Sequence, residues 1–325
     1  MPVQQYGFVM TEQTIRQTRR SDSALHGRMV RTIERHIRHD GFNDTALHAL
    51  SLVASHCRRA REPIVYEPGL IFIVQGEKTG FIDDRVIRYG AGHYLVQAMP
   101  LPFECETGGS ADEPLLGAAL RIAPELLAEL AGAVGPVEAG RDIAHAADTL
   151  PMAAVTLDGA IGEALERLLD CLDDPAAVRA LGHARIREVI FEALRGPQGH
   201  LLRQLLQSQG AYARIGGAIE TLRADYALPL SVPALAARAH MSVSSFHAHF
   251  KQLTRISPLQ YQKRIRLLRA RDLLIRNAAN VSGAASAVGY QSASQFSREY
   301  KRYFGVAPTH DHGFGADAVD ESIAS

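Results

Sequence analysis

The residues best placed to do chemistry lie in two copies of one pattern in the last third of the chain. Ser242–Pro258 (SVSSFHAHFKQLTRISP) aligns with Ser292–Pro308 (SASQFSREYKRYFGVAP) at an offset of 50. Ser242 pairs with Ser292, Ser244 with Ser294, Phe246 with Phe296, Lys251 with Lys301 and Pro258 with Pro308. The runs just upstream align at an offset of 49, Val232 with Val281 and Ala236 with Ala285, so the second turn is one residue longer. Helical spacing sorts each copy into two faces. Phe246, Phe250 and Leu253, or Phe296, Tyr300 and Tyr303, form an apolar face expected to be core. Ser244, His247, Ala248 and Lys251, or Ala293, Ser294, Ser297, Arg298 and Lys301, form the opposite one. Short side chains beside a long cation suit a helix pressed into a DNA major groove. Ser and Ala permit close approach, Arg can read guanine, and Lys301 or Arg302 can hold phosphate. Ser242 and Ser292 head these helices as caps and as candidate phosphate contacts. The plain alternative is a polar face turned to water.

Other chemistry is thinner. His93 stands alone in GAGHYLV, and Glu104 and Glu106 alternate along ECE, so no set of three or four converging metal ligands is complete. No metal, cofactor or catalytic residue is expected. Cys57, Cys105 and Cys171 are scattered, without a CxxC pair, which suggests free thiols in a reducing compartment. Cys105 lies between two carboxylates, so its pKa should be raised.

The elements that must position these groups follow from texture. Residues 215–308 read as helices: IGGAIETLRADYA, then SVPALAARA with Ser231 as cap, VSSFHAHFKQLTR, the long basic SPLQYQKRIRLLRARDLLI capped by Ser257, VSGAASAVG and SASQFSREYKRYFG. Each copy is thus a short Ala-rich helix, a tight turn and a longer capped helix. That is the layout of a helix-turn-helix, with Ala236, Ala237, Ala284 and Ala285 allowing close crossing. On the long helix Lys263, Arg264, Arg266, Arg269 and Arg271 are candidates for phosphate anchoring, and equally for a solvated face. SQGAYARIGG suggests a hinge at 208–217.

Upstream, residues 1–62 read as helical, with TALHALSLVASHCRRARE as a helix ended by Pro63. Residues 63–123 break into short apolar runs punctuated by Gly and Pro, as in a β-sandwich or small barrel. Residues 124–207 return to helical texture, with one stripe at Ile161, Leu165, Leu168 or Leu169 and Leu172 and another at Ile186, Ile190 and Leu194. These stripes fit core packing or a dimer interface. Residues 208–310 form the double helix-turn-helix unit, and 311–325 an acidic tail expected to be disordered. The fold class is therefore α+β.

Charge supports this division. The 325 residues carry 35 basic and 35 acidic side chains, a total that argues against a strongly basic nucleic-acid binder. Yet residues 210–310 hold fourteen Lys and Arg against four Asp and Glu, and the acidic excess lies elsewhere. Neutrality is a cancellation between a basic module and an acidic remainder. With no apolar run of membrane-spanning length and no basic-then-apolar leader, a soluble cytoplasmic protein with no membrane partner is expected.

VSGAASAVGYQSASQFSREYKRYFGVAP resembles the C-terminal signature of AraC/XylS-type transcription regulators, and MSVSSFHAHFKQLTRISPLQYQKRIRLLRARDLL resembles the preceding half of that domain. VYEPGLIFIVQGEKTGFIDDRVIRYGAGHYLVQAMPLPFECET resembles the cupin-like N-terminal domain of one AraC subfamily. The resemblance implies two helix-turn-helix units entering successive major grooves of double-stranded DNA, with base-facing positions at Ser244, His247 and Ala248 and at Ala293, Ser294 and Arg298. Relatives often carry Arg where this chain has Ala248, so the first unit is left to read DNA through His247, His249 or methyl contacts, or to contribute mostly affinity. The resemblance also implies a barrel that senses a small molecule, and leaves room for RNA polymerase and a second copy as partners. Phe72, Val74, Phe81, His93, Tyr94 and Phe103 are candidates to line an apolar effector pocket, or simply to fill the core. The rival from another class is a cupin-type metalloenzyme carrying a DNA-binding appendage.

Overall fold

The structure, a computed structural model, describes residues 12–135, 150–157, 159–204, 206, 211–276 and 279–311, with only the backbone for 12–23. The N-terminal part opens with helix α1 (Glu12–His36). Strands β1 (Gly41–Asp44), β2 (Leu50–Ser55), β3 (Arg59–Val65), β4 (Gly69–Gln75), β5 (Glu77–Ile82), β6 (Arg85–Gly90), β7 (His93–Gln97), β8 (Pro102–Gly108) and β9 (Leu115–Arg121) follow. Helix α2 (Pro124–Val134), strand β10 (Met152–Thr156) and helices α3 (Gly159–Asp170), α4 (Pro175–Arg195) and α5 (Gly199–Gln204) complete this part.

The strands make two antiparallel sheets, ordered β1-β2-β9-β4-β7-β10 and β3-β8-β5-β6, rather than a closed barrel. Between them lies a core of Ile71, Ile73, Leu95 and Leu115 from the first sheet and Ile82, Tyr89, Phe103 and Cys105 from the second. The other face of the first sheet is also covered. Leu50, Leu52, Leu70, Phe72, Val74, Tyr94 and Leu120 pack there against Met29 and Ile33 of α1, Leu127 of α2 and the apolar stripes of α3 and α4. Three layers result, and β4 (GLIFIVQ) is buried on both sides for six of its seven residues. A strand buried on both sides reads as an unbroken apolar run.

That double burial explains where sequence reading of the first 62 residues fails. Helix α1 forms, but TALHALSLVASHCRRARE yields β2 and the start of β3 instead of a helix. Leu50 and Leu52 face the helical layer while Val53 faces the second sheet, so no clean alternation marks the strand. Pro63 sits inside β3, where an edge strand tolerates the missing N–H. The β domain therefore begins at β1 rather than at residue 63, and it reclaims β10 from the 124–207 stretch read as helical, pairing it with β7. Ile161, Leu165, Leu168, Leu169, Ile186, Ile190 and Leu194 are all buried in the helical layer, with Leu172 partly so. These stripes are core, not an open dimer face.

The C-terminal part is helical: α6 (Ala211–Ala224), α7 (Val232–Arg238), α8 (Val243–Thr254), α9 (Pro258–Ile275), α10 (Val281–Ala287) and α11 (Ala293–Phe304). Gly216 and Gly217 lie within α6, so no hinge opens there; residues 208–210 of the expected hinge lie outside the described residues. Asp311, taken with the tail by sequence, closes this domain instead, with its side chain 4% exposed; residues 312–325 lie outside the described residues.

Candidate nucleic-acid interface

Both recognition-type helices are started by the chemistry expected. Ser242 Oγ accepts from Ser245 N at 3.2 Å and Ser292 Oγ from Gln295 N at 3.3 Å. Ser231, Ser257 and Asn280 cap α7, α9 and α10 in the same way. A side-chain oxygen satisfies a helix N–H that has no intrahelical partner. The turns differ as the one-residue offset requires. The first places His240 at φ 51°, and the second Gly289 at φ 83°. At Gly289 a Cβ would lie 2.0 Å from the Ala227 carbonyl oxygen, so this close approach requires glycine.

Phe246, Phe250, Phe296 and Tyr300 are fully buried, and Leu253 and Tyr303 are partly buried beside them. Ala236, Ala284 and Ala285 sit at the crossings, but Ala237 is exposed and Ala239 takes the buried place. Opposite the aromatic face, Ser244, His247 and Ala248 are exposed on α8, and Ala293, Ser294 and Arg298 on α11, with Ser297 half-buried at the edge. Ser242, Ser292, Lys251, Lys301 and Arg302 are exposed around these faces. His249 turns back instead, its Nδ1 2.8 Å from the Ser245 carbonyl oxygen, which takes it out of the set open for contact.

The cations of α9 are mostly engaged within the protein. Lys263 Nζ lies 2.7 Å from Glu299 Oε1 of α11, so it ties the second unit to the connecting helix rather than standing free for phosphate. Glu299 also accepts from Tyr290 Oη at 2.8 Å. Burial alone would raise the Glu299 carboxyl, but Lys263 and Tyr290 outweigh it and hold it below its ordinary value. Arg264 is half-buried, 6.0 Å from the Tyr303 ring centroid. Arg266 donates to the carbonyls of Tyr226 (2.6 Å), Ala227 (3.1 Å), Leu228 (2.9 Å) and Gly289 (3.1 Å), clamping the turn after α6 to the turn of the second unit. Arg271 bonds Asp311 and Glu62 of β3, each at 2.9 Å, and Arg269 lies 3.9 Å from Asp272. The sequence could not separate these from phosphate contacts, because Glu62, Glu299 and Asp311 arrive from far along the chain.

The helical domain is seated on the sheets. Met99 and Leu101, from the β7–β8 connection, are buried in one core with Ile215, Ile219, Leu235, Phe246, Phe250 and Tyr261. Tyr261 Oη donates to the Pro100 carbonyl at 2.6 Å, and Arg223 of α6 pairs with Glu67.

The expected effector residues do not share one cavity. Phe72, Val74 and Tyr94 face the helical layer, Phe103 faces the space between the sheets, and Phe81 lies on the outer side under Arg61, whose guanidinium carbon is 4.1 Å from its ring centroid. His93 Nδ1 lies 3.3 Å from the Ala91 carbonyl oxygen. They are core and surface residues. Glu104 pairs with Arg61, and among the described residues no three His, Cys, Asp or Glu gather as metal ligands. The space available lies elsewhere. A cavity of about 440 Å³ opens between the mouth of the two sheets and α9, lined among others by Tyr66, Lys78, Cys105, Thr107, Ile265 and Leu268. Lys78 was not singled out by sequence, although alternation with Gly80 and Ile82 in β5 turns it inward. Burial pushes the Cys105 thiol up, as it does the Tyr66 and Tyr89 phenols; for Cys105 burial outweighs the opposing effect of Lys78, and the carboxylate that adds to it is Glu62 rather than the flanking Glu104 or Glu106.

A two-sheet domain with a helical layer, followed by paired helix-turn-helix units, defines the class of protein. Residues 46–201 match the family described as the AraC-type transcriptional regulator N-terminus, and residues 235–311 match a helix-turn-helix domain family. The chain thus carries an AraC-type regulator N-terminal domain followed by a helix-turn-helix domain. It is 28% identical over 131 residues to the HTH-type transcriptional regulator GbdR of Pseudomonas aeruginosa, covering 40% of this chain and 36% of that one. It is 30% identical over 145 residues to the HTH-type transcriptional activator RhaS of Escherichia fergusonii, covering 44% and 51%. The chain thus spans about half or less of the length of these curated relatives. A crystal structure of an apo ToxT variant from Vibrio cholerae matches with a TM-score of 0.59 at 10% identity, over 84% of this chain and 97% of that one. ToxT with an unsaturated fatty acid bound matches at 0.54 and 11%, over 80% and 92%. These likenesses establish the fold.

Proposed function

We propose that this chain is a sequence-specific DNA-binding transcription regulator whose N-terminal domain responds to a small molecule. The observation that carries it is the pair of capped helices from one repeat. Each has a buried aromatic face and an exposed face of short polar residues, and one clamped helix spaces them. Ser244, His247 and Ala248 face bases in one major groove, and Ala293, Ser294, Ser297 and Arg298 face bases in the next, ~10 bp away. Lys251, Lys301 and Arg302, with the hydroxyls of Ser242 and Ser292, hold phosphates. Arg298 makes no ion pair among the described residues and is the strongest candidate for guanine readout. RNA polymerase and a second copy of the chain belong to the same reading as partners. The curated relatives are named as regulators, and no catalytic role is assigned to any residue here.

Gel-shift titration against the DNA upstream of its own gene tests this reading. Salt-sensitive, sequence-selective binding below ~1 μM is expected. Uniform binding to every duplex would reduce the protein to a non-specific binder.

A further inference from the structure

The outward faces of the two units carry different kinds of cation. On α11 they are Arg298, Lys301 and Arg302, which stay charged throughout the physiological range. On α8 they are Lys251 and an imidazole. His247 is exposed, at the place of Ser297 in the repeat and one residue before Ala248, which stands where Arg298 does. Histidine is the side chain whose charge changes between about pH 5 and 8. His249 is turned away, and no further histidine occurs before His310, so the second unit has none. Among the described residues His247 makes no hydrogen bond or ion pair; its ring stands edge-on to Phe246, with centroids 6.5 Å apart.

The charges around α8 are mostly positive. Asp and Glu are missing from the chain between Asp225 and Asp272. Lys251 lies one turn further along α8, His240 is exposed in the turn before it, and Arg238 is exposed at the end of α7. Of the other helices packed on α8, α9 carries cations and one carboxylate, Asp272, in its last turn and 3.9 Å from Arg269. Helix α6 carries Arg214, Glu220 and Arg223, and Arg223 pairs with both Glu220 and Glu67. The counter-charge for an imidazolium at His247 therefore has to come from outside, and DNA supplies it in its phosphates and in the guanine acceptors O6 and N7.

We propose that His247 takes up a proton as α8 enters the major groove, so that the first unit grips DNA more tightly as pH falls. An imidazolium has two N–H donors, against one donor and one acceptor in the neutral ring. The small Ala248 beside it lets the helix approach closely enough for those donors to reach a guanine edge or a phosphate oxygen. DNA favours the charged ring, so the added affinity is full at low pH and is lost as pH rises through the DNA-bound value. With the ring neutral the first unit only positions; with the ring charged it adds contacts of its own. The inference rests on the DNA-binding half of the proposed function and not on its small-molecule half.

Fluorescence anisotropy with the full chain and the duplex upstream of its own gene tests this, at constant ionic strength and at about pH 6 and about pH 8. Wild-type affinity is expected to be about three- to tenfold tighter at the lower pH, the size given by a shift of half to one pKa unit on binding. In His247→Gln most of that ratio should vanish at the weaker affinity, and in His247→Arg at the tighter one. Calorimetry in buffers of different ionisation heat should find more proton uptake on binding by the wild type than by His247→Gln. Replacing the guanines of the weaker half-site one at a time tells the acceptors apart: a base contact loses its pH dependence on one such duplex, and a phosphate contact on none. An equal pH ratio in the wild type and His247→Gln, or affinity that rises with pH, would overturn the proposal. Selective binding that ignores pH sinks it alone, whereas no selective binding at either pH sinks the DNA-binding reading with it. Because His247 is exposed, both variants should melt with the wild type. Should either melt lower, proton uptake by the wild type decides.

Discussion

The two helix-turn-helix units share one repeat but differ in what holds them. The first is built into the N-terminal domain. Its aromatic pair Phe246 and Phe250 shares a core with Met99 and Leu101 of the β7–β8 connection, and Tyr261 bonds the Pro100 carbonyl. The second has a small core of its own, made of Leu267, Ala270, Ala285, Val288, Phe296 and Tyr300. It reaches the sheets through α11, packed beside β3, and through Arg271, shared between Glu62 and Asp311. Their outward faces differ in the opposite sense. The first offers Ala248 where the second offers the exposed Arg298, which makes no ion pair among the described residues. The unit that shares a core with the β7–β8 connection has no cation at this position, and the unit with a core of its own has one. The comparison teaches that duplication of a fold element leaves its two jobs, positioning and reading, free to separate.

The largest test of this contrast is core truncation. Phe250→Ala and Phe296→Ala should each cost ~3–5 kcal/mol. Phe250→Ala should destabilise the β domain together with the first unit, whereas Phe296→Ala should loosen the second unit alone. Hydrogen exchange by segment would separate the two, and identical patterns would break the comparison. Next in size is the interdomain hydrogen bond. Tyr261→Phe leaves the Pro100 carbonyl without its donor and should lower stability by ~1–3 kcal/mol, read from denaturant melts. On the DNA side, Arg298→Ala should cost ~1–3 kcal/mol on the preferred site and relax selectivity in one half of it. Ala248→Arg should sharpen the other half, and a gel shift on half-site variants would show both.

Much of this was legible because it is local. Caps at Ser231, Ser242, Ser257 and Ser292, aromatic residues four apart and the repeat itself all act within a few turns of chain, so the helical domain could be laid out from sequence. The sheets were harder. β2 is buried on both faces and carries no alternation, and β10 pairs with β7 across more than fifty intervening residues. The effector residues were misplaced for a related reason. Phe72 and Phe103 are both apolar strand residues, and only the stacking of layers puts them in different cores. Lys263 and Arg271 looked like Lys251 and Lys301 because a cation's partner cannot be read from its own segment.

The smallest effect belongs to the tie between α9 and the second unit. Glu299 is held below its ordinary value of 4.5, so its contribution is present above that pH and is lost as pH falls through the lower folded value. Lys263→Met should cost about 0–1 kcal/mol at neutral pH, since the pair is only half-buried, and should flatten this acid dependence in thermal melts. An unchanged acid profile would remove the tie from the account of how the second unit is held.

Selection of bound sequences from a random DNA pool, by the full chain and by Arg298→Ala, tests the central claim most directly. A bipartite site is predicted, with two preferred patches ~10 bp apart, the stronger one losing its preference in Arg298→Ala. A single patch, no enriched sequence, or the same site selected by both proteins would contradict a division of labour in which the second unit reads the DNA and the first holds it in place.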